Sequence, residues 1–482
     1  MHGSNGSSFL ATRQGIRPRG PRLHPALIPT AIALLPCLGV AGCAGHAAPA
    51  TGSTPGAPSP TGAARSSAAA PAPLAWSAAR APLPADANGV SGQYASLGDV
   101  TCAAVGNCVA VGFDKAKGPT GDVTQGLVET LSGGKWTAAA VPGVSSQKGV
   151  ATLNAVSCPA PGNCVAVGFV SSGAGAVLTP VILTLSGGRW SPVKPPLPSD
   201  AITTASATLN DVSCPAAGAC VATGWYSNQV GRHDGYMDTL AHGTWTAASA
   251  ALPADAAPEQ YSATAGTYLA AVACTGVGAC VAPGQYRDAQ GQTRALIDTL
   301  SGGTWTASPA PLPADAATTG QVAGLWAVSC AASGTCVAAG HYIQRGGQPR
   351  FLTETLAGGA WTAAALSLPA DAAADQKWSQ YQSTTIGGLA CEPDGSCVAT
   401  AGYVTKESTL APLIETLSGG RWTAAKAPLP ADAVTSTPQD QAYLDLATCP
   451  ANGDCLTVGS YPAVDGSVEG VIEVGVPRTV EP

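Results

Sequence analysis

The residues with the most evident chemistry are fourteen cysteines in seven pairs: Cys102/Cys108, Cys158/Cys164, Cys214/Cys220, Cys274/Cys280, Cys330/Cys336, Cys391/Cys397 and Cys449/Cys455. Every pair reads C-x3-G-x-C. Paired thiols either hold a soft metal or bond to each other. A metal needs about four ligands in one place, whereas each unit offers two cysteines, and the histidines beyond residue 46 are only His233, His242 and His341. Cysteines flanking a five-residue hairpin loop, by contrast, face each other at bonding distance, with the glycine in the left-handed conformation. Each pair is therefore predicted to form a local disulfide, contributing about 2 kcal/mol in the chain-entropy picture. No metal or other cofactor is expected.

Two series of carboxylates repeat in step with the cysteines. Asp86, Asp200, Asp255, Asp315, Asp371 and Asp432 close segments of the L-P-A-D type, which are missing only after Trp136, where the chain reads VPGV (141–144). A ring of such acids would attract cations, but an aspartate after proline more often bonds its own backbone in a turn. Glu129, Asp238, Asp298, Glu354, Glu415 and Glu473 form the second series, with Leu183 as the exception. They alternate in phase with leucines, so they are predicted to point inward, where a carboxyl needs a hydrogen-bond partner. A catalytic acid is expected once in a ring and not six times, so both series read as structural.

Aromatic residues supply the candidate contacts for a ligand. Trp225, Tyr226, Tyr286, His341, Tyr342, Tyr403 and Tyr461 follow the second cysteine of their units, and Trp378 and Tyr381 stand in a long connection rich in amides (QKWSQYQ, 376–382). Such residues stack on sugars or peptides, or else fill the gaps between repeats. Trp378, Tyr381, Trp225, Tyr226 and His341 are the candidate binding residues, the first two because they break the repeat. No G-x-S-x-G elbow, paired histidine or arginine cluster is present, and no catalytic residue is assigned. Two functions from different classes follow. The preferred one is a non-catalytic binding or scaffold module for a protein, peptide or envelope glycan. The alternative is a hydrolase or lyase acting on an envelope polysaccharide.

The elements that must position these residues are strands. Five residues before each first cysteine stands Leu97, Leu153, Leu209, Leu269, Leu325, Ile386 or Leu444, opening a segment with apolar residues at alternate positions. Runs such as CVAVG (164–168), LIDTL (296–300) and the stretch from the tryptophan of S-G-G-x-W into L-P-A-D-A complete a unit of four. Paired glycines before the tryptophan supply tight turns. Four short strands repeated seven times predict an all-β, seven-bladed β-propeller with one disulfide per blade. Tryptophan strands also number seven, but the first, around Trp76, precedes every cysteine unit, and the last unit, ending at VIEVGVP (471–477), has none after it. The N-terminal strand is therefore predicted to complete the last blade and close the ring.

Composition bounds the partners. Four arginines lie before residue 43, leaving eighteen basic against twenty-nine acidic residues beyond it. That balance argues against nucleic acid, which needs a basic surface. A monomer is expected. Residues 1–24 are basic, residues 25–40 are apolar but too short to span a bilayer, and Val40-Ala41-Gly42-Cys43 follows. This end resembles the lipobox of bacterial lipoproteins. The resemblance implies a signal peptide over 1–42, lipidation at Cys43, and a membrane partner through the acyl chains, with the chain held at, or released from, the extracytoplasmic face. Residues 43–72 form an Ala/Pro/Ser/Thr-rich linker, and the propeller occupies 73–482.

The units also resemble a widespread repeat in secreted proteins of high-GC Gram-positive bacteria. Its pattern stands here as LNAVSC (153–158), CVAVG (164–168), LIET (413–416) and GGRW (419–422). The resemblance implies a propeller in the cell envelope and no particular activity. Ser301-Gly302-Gly303-Thr304-Trp305 is loosely similar to the Asp-box turn of sialidases but lacks its aspartate, and implies a turn, not an enzyme.

Overall fold

The computed structural model describes residues 74–87, 90, 92–173, 177–257, 266–331, 334–374, 385–435, 440–450 and 454–477. Within them the chain forms seven antiparallel sheets of four strands each. The second blade is representative: Ala151–Ala160, Asn163–Ser171, Leu178–Ser186 and Arg189–Val193 pair in chain order. Only the fourth blade departs, its first strand being broken into Tyr268–Leu269 and Ala273–Gly276 on the same neighbour. The fold class read from the repeat is the fold observed.

Hairpin chemistry follows the glycines. Gly302 and Gly303, with φ of 58° and 82°, turn the chain before Trp305, and in the third blade His242 (φ 51°) takes the first of these positions ahead of Gly243. All seven disulfides join the two cysteines of one C-x3-G-x-C unit. Such bonds persist in oxidising, extracytoplasmic compartments. Among the described residues, no helix is long and apolar enough to cross a membrane.

The pairing is as the spacing predicts, but the burial of the two sulfurs differs in a way the spacing does not show. Cysteines flanking a hairpin loop would both be expected near solvent. Instead the second of each pair, Cys108, Cys164, Cys220, Cys280, Cys336, Cys397 and Cys455, is a core residue only 2% to 4% exposed. The cause is its strand, which runs inside the blade between the first and third strands and turns this side chain into the apolar wedge. The first cysteine stays partly exposed in six pairs, and Cys214 alone is buried with its partner. These fourteen residues therefore serve packing and cross-linking and offer no accessible thiol chemistry. A reductant meets one half-buried sulfur per blade at most.

The first strand of each blade lies innermost, because it is the one that reaches the next blade. Asn154 Nδ2 donates to the carbonyl of Leu209 at 2.7 Å and Asn210 Nδ2 to that of Leu269 at 2.8 Å. The Ser157, Ser213 and Ser329 hydroxyls accept the N–H groups of Cys214, Cys274 and Cys391 one blade on. Asp99 binds the N–H groups of Val100 and Val156, both at 2.6 Å, and Asp211 those of Val212 and Val272, both at 2.7 Å. A bulge one residue past the leucine re-aims the side chains that make these contacts. Tryptophan strands such as Thr304–Pro309 lie outermost, with one face exposed.

Seven apolar clusters form the core, each a wedge between neighbouring blades. One holds Val167 and Ile182 of the second blade against Leu209, Tyr226 and Tyr236 of the third. The last wedge joins Val458 and Ile472 to Leu97 and Leu127 of the first blade. There Leu74–Arg80 pairs with Val468–Pro477 in seven steps, Trp76 opposite Gly475 and Arg80 opposite Val471. The closure expected from the orphan tryptophan strand is thus present, and it leaves no radial edge unpaired.

Candidate binding face

Hairpins carrying the disulfides and the Gly-Gly turns fall on one face of the ring. Turns between second and third strands, and connections between blades, fall on the other. This second face carries the variable residues, and rigid scaffolds usually bind through such loops.

The L-P-A-D segments were expected to continue the fourth strand. They turn instead. In the fifth blade's connection the N–H of Ala316 donates to Pro313 O at 2.9 Å, while Ala317 N–H donates to Ile343 O and Arg345 N–H to Asp315 O, both at 2.8 Å. The segment thus clasps the turn of the following blade. The Tyr342 hydroxyl donates to Asp315 at 2.9 Å, and Tyr226–Asp200, Tyr286–Asp255, Tyr403–Asp371 and Tyr461–Asp432 repeat the bond at 2.8 to 3.0 Å. Burial, with the adjacent carboxylate, pushes these phenols well above their ordinary range, so they remain donors. The connection lacking its aspartate leads into the second blade, where Val170 occupies the tyrosine position. In the first blade Asp114 does, and Gln125 bridges it to Asp86.

The second acid series points inward, as its alternation predicts. All six side chains are fully buried, each opposite small residues, as Glu354 is opposite Ala338 and Ala363. The hydrogen-bond partner expected for them is mostly missing. Neither carboxyl oxygen of Glu129, Asp238, Glu354 or Glu415 reaches a protein partner, and Glu473 has only the Thr457 hydroxyl at 3.5 Å. Burial in an apolar wedge pushes Glu129, Glu354, Glu415 and Glu473 up to about 8 and Asp238 and Asp298 up to about 7. At neutral pH the glutamates are mostly protonated, uncharged core residues.

Of the five candidate contacts, Trp378 and Tyr381 lie outside the described residues, as does Cys43. Tyr226 is 1% exposed, with its hydroxyl held by Asp200 and Ser249. It is therefore a wedge residue and not placed to touch a ligand. His341 is also buried, and burial lowers its imidazole to about 3. Its Nδ1 accepts the indole N–H of Trp326 at 2.8 Å, so it positions Trp326 as a neutral ring. Trp225 remains half-buried, stacked on His233 at 4.3 Å.

Trp225 belongs to a row that the sequence reading did not assemble. The residue five past the second cysteine pairs with the one before the leucine: Ser96 with Phe113, Thr152 with Phe169, Thr208 with Trp225, Tyr268 with Gln285 and Gly324 with His341. These pairs stand where the innermost strands begin, at the mouth of the ring on the variable face. Tyr94 stacks on Phe113 at 5.3 Å, and Trp326 meets Tyr268 of the preceding blade at 5.7 Å. Gly324 makes room, since a Cβ there would lie 3.1 Å from the Trp326 ring. Phe113, Phe169, Trp225, Tyr268, Trp326 and Tyr443 are all half-buried, showing part of each ring to solvent. Trp326 had a signal of its own: it stands one past the leucine, where other blades carry Gly98, Asn154, Asn210, Ala270, Gly387 and Asp445.

Among the described residues one group has metal-ligand types close together, Glu392 with Cys449 and Cys455. Those two cysteines are bonded to each other, which removes the thiolates a metal would need.

No known protein family matches this sequence, and no curated protein does. Solved structures are similar in fold. A protein of unknown function from Dyadobacter fermentans aligns with a TM-score of 0.44 at 13% identity, over 81% of this chain and 96% of its own. Trypanosoma rangeli sialidase gives 0.40 at 12%, over 66% of this chain and 52% of its own. Penicillium chrysogenum alpha-L-arabinanase gives 0.36 at 9%, over 84% and 97%.

Proposed function

We propose that this chain is a non-catalytic binding module tethered through a lipidated Cys43 to the extracytoplasmic face of the cell membrane, taking an envelope glycan at the aromatic mouth of the ring. The observation that carries this reading is a contrast between two sets of aromatics. The repeated tyrosines are buried and their hydroxyls are spent on aspartates. The unrepeated Trp225, Tyr268 and Trp326 are half-exposed, with Tyr268 paired to Gln285. Flat apolar faces next to amides suit a sugar ring, which offers a C–H face and hydroxyl edges. Proteins and peptides are the other occupants such a surface would accept.

Screening the purified domain against envelope glycans, with binding and turnover read separately, tests the reading. Trp225→Ala and Trp326→Ala are each expected to weaken the bound glycan by about 30-fold, the usual cost of truncating an aromatic anchor. Unchanged affinity in both would place the site elsewhere, and turnover of a bound polysaccharide would favour the hydrolase or lyase reading. The anchor has its own test. Cys43→Ser is expected to shift the protein from the membrane fraction to the soluble one, and retention on the membrane would refute lipidation at that residue.

A further inference from the structure

Six connections between blades carry an aspartate of the L-P-A-D type, and the one that closes the ring is fastened differently from the rest. In the other five a buried tyrosine of the following blade donates its hydroxyl to that aspartate. In four, the residue three places past the tyrosine also donates its N–H to the aspartate carbonyl: Ala289 to Asp255, Arg345 to Asp315, Lys406 to Asp371 and Val464 to Asp432. The closing connection runs from Leu74–Arg80 through Asp86 into the first blade, where Asp114 stands in place of the tyrosine. Lys117 holds the place of Arg345, but it belongs to a longer hairpin, Asn107–Gly118 with Gly121–Ser132, and pairs there with Asp122. Among the described residues, no backbone bond joins it to Asp86.

What fastens this connection is a side-chain bridge. Gln125 Nε2 donates to Asp86 at 3.2 Å and to Asp114 at 3.4 Å, so one amide spans two carboxyls. Asp86 is exposed, whereas Asp114 is fully buried and its Oδ1 has no hydrogen-bond partner. Among the described residues no cation pairs with Asp114. On its own hairpin Lys115 and Lys117 lie against Asp122, and Glu129 is a further buried acid. Asp99 of the first strand is buried too, and the neighbouring strand Ala151–Ala160 holds no charged residue. Across the seam Arg80 is taken by Glu469 and Asp432. Ionising Asp114 therefore puts an unneutralised charge in an apolar wedge and a second anion on the shared amide. Burial, and then the nearby Asp86, push Asp114 up to about 6 against the pull of the Gln125 hydrogen bond.

We propose that the closing connection is a pH-responsive latch, shut while Asp114 carries a proton and loosened when that proton leaves. The folded value of Asp114 lies above its unfolded one, about 4. The contribution of the latch is therefore whole below about pH 4 and lost as pH rises through about 6. The five phenol clasps do not follow, because burial raises their tyrosines and they keep their protons throughout this range. Loosening is thus confined to the seam, where Leu74–Arg80 meets Val468–Pro477. This does not depend on what the mouth binds.

Amide hydrogen exchange of the whole chain tests the latch. Ala81 and Ala95 donate across the seam to Gly470 O and Val468 O at 2.9 and 2.8 Å. Ala310 and Ala323, at the connection carrying Asp315, make the matching bonds to Ala295 O and Thr293 O at 2.9 and 3.0 Å. Glu129 and Glu354 are buried alike in the two blades, so their titration is common to both. After correction for the intrinsic pH dependence of exchange, opening at Ala81 and Ala95 is expected to rise about tenfold more than at Ala310 and Ala323 between pH 5 and pH 7.5. Asp114→Asn is expected to abolish that difference. Should this variant fold poorly, Asp114→Tyr installs the phenol of the other clasps, and the same flat response is expected. An equal response at both connections, or a difference that survives removal of the Asp114 carboxyl, would overturn the proposal.

Discussion

Melting the propeller at pH 5 and at pH 8 is expected to give the higher melting temperature at pH 5, by more than roughly ten degrees. Glu129, Glu354, Glu415 and Glu473 are held up to about 8, and Asp238 and Asp298 up to about 7. Below their unfolded values, about 4, folded and unfolded chains both carry these protons and nothing is gained or lost. As pH rises further the unfolded chain releases them while the folded chain keeps them. Each group then costs folding about 1.4 kcal/mol per pH unit until its folded value is passed. Asp99 and Asp211 on the inner strands, and Asp114 beside Glu129, are raised by burial and act in the same direction. His341 and His233 oppose them, since burial lowers both and the unfolded chain gains their protons below about pH 6.5. Two imidazoles do not outweigh nine carboxyls, so the optimum lies near pH 5.

The second blade supplies the control, because Leu183 fills the same position and is fully buried. Glu354→Leu should therefore raise the melting temperature at pH 8 and change it little at pH 5. A melting temperature that rises from pH 5 to pH 8, or a Glu354→Leu gain that is equal at both, would show that these carboxyls are charged and partnered in solution.

Deleting Leu74–Arg80 is expected to lower the melting temperature by more than roughly ten degrees, or to leave the domain insoluble. The segment supplies the whole fourth strand of the last blade, with seven residue pairs onto Val468–Pro477. It also supplies Trp76, whose ring sits over Gly475, and the Arg80 partner of buried Glu469. Without it the last blade shows an open apolar edge that another molecule can pair with. A synthetic peptide of residues 73–87 added in trans should restore solubility and part of the melting temperature. Shortening within 44–72 is the control, expected to be neutral. A deletion no more harmful than that control would mean that the ring holds without its clasped end.

Fold and pairing were legible because they repeat. Seven equal cysteine spacings, seven leucine or isoleucine positions and seven tryptophans fix blade number, strand order and disulfide partners, and the orphan Trp76 strand fixes the closure. Less legible was the depth of the sulfurs, because spacing reports which cysteines meet and not which way a central strand turns them. The turn at the aspartate of L-P-A-D was legible, but its carboxylate bonds a tyrosine of the next blade and not its own backbone, although the sequence held the clue. The one connection without the aspartate precedes the one blade with Val170 at that place. The aromatic mouth was hidden further, since it depends on which side of a bulged inner strand each residue falls. Tyr268 and Trp326 meet across two neighbouring blades, and Tyr94 stacks on Phe113 of the first, with no shared motif. The surroundings of the closing strand had no signal, because no repeat describes the join.

That join also dictates an order of events for a chain made from its N-terminus. Each L-P-A-D clasp reaches forward to the blade made next, so blades one to six can dock in succession as they emerge. Leu74–Arg80, the earliest of these strands to be made, pairs only with Val468–Pro477, the latest. It must wait unpaired until that strand is complete. Vectorial assembly therefore ends in a single locking step, before which the nascent arc keeps two sticky ends and after which it has none.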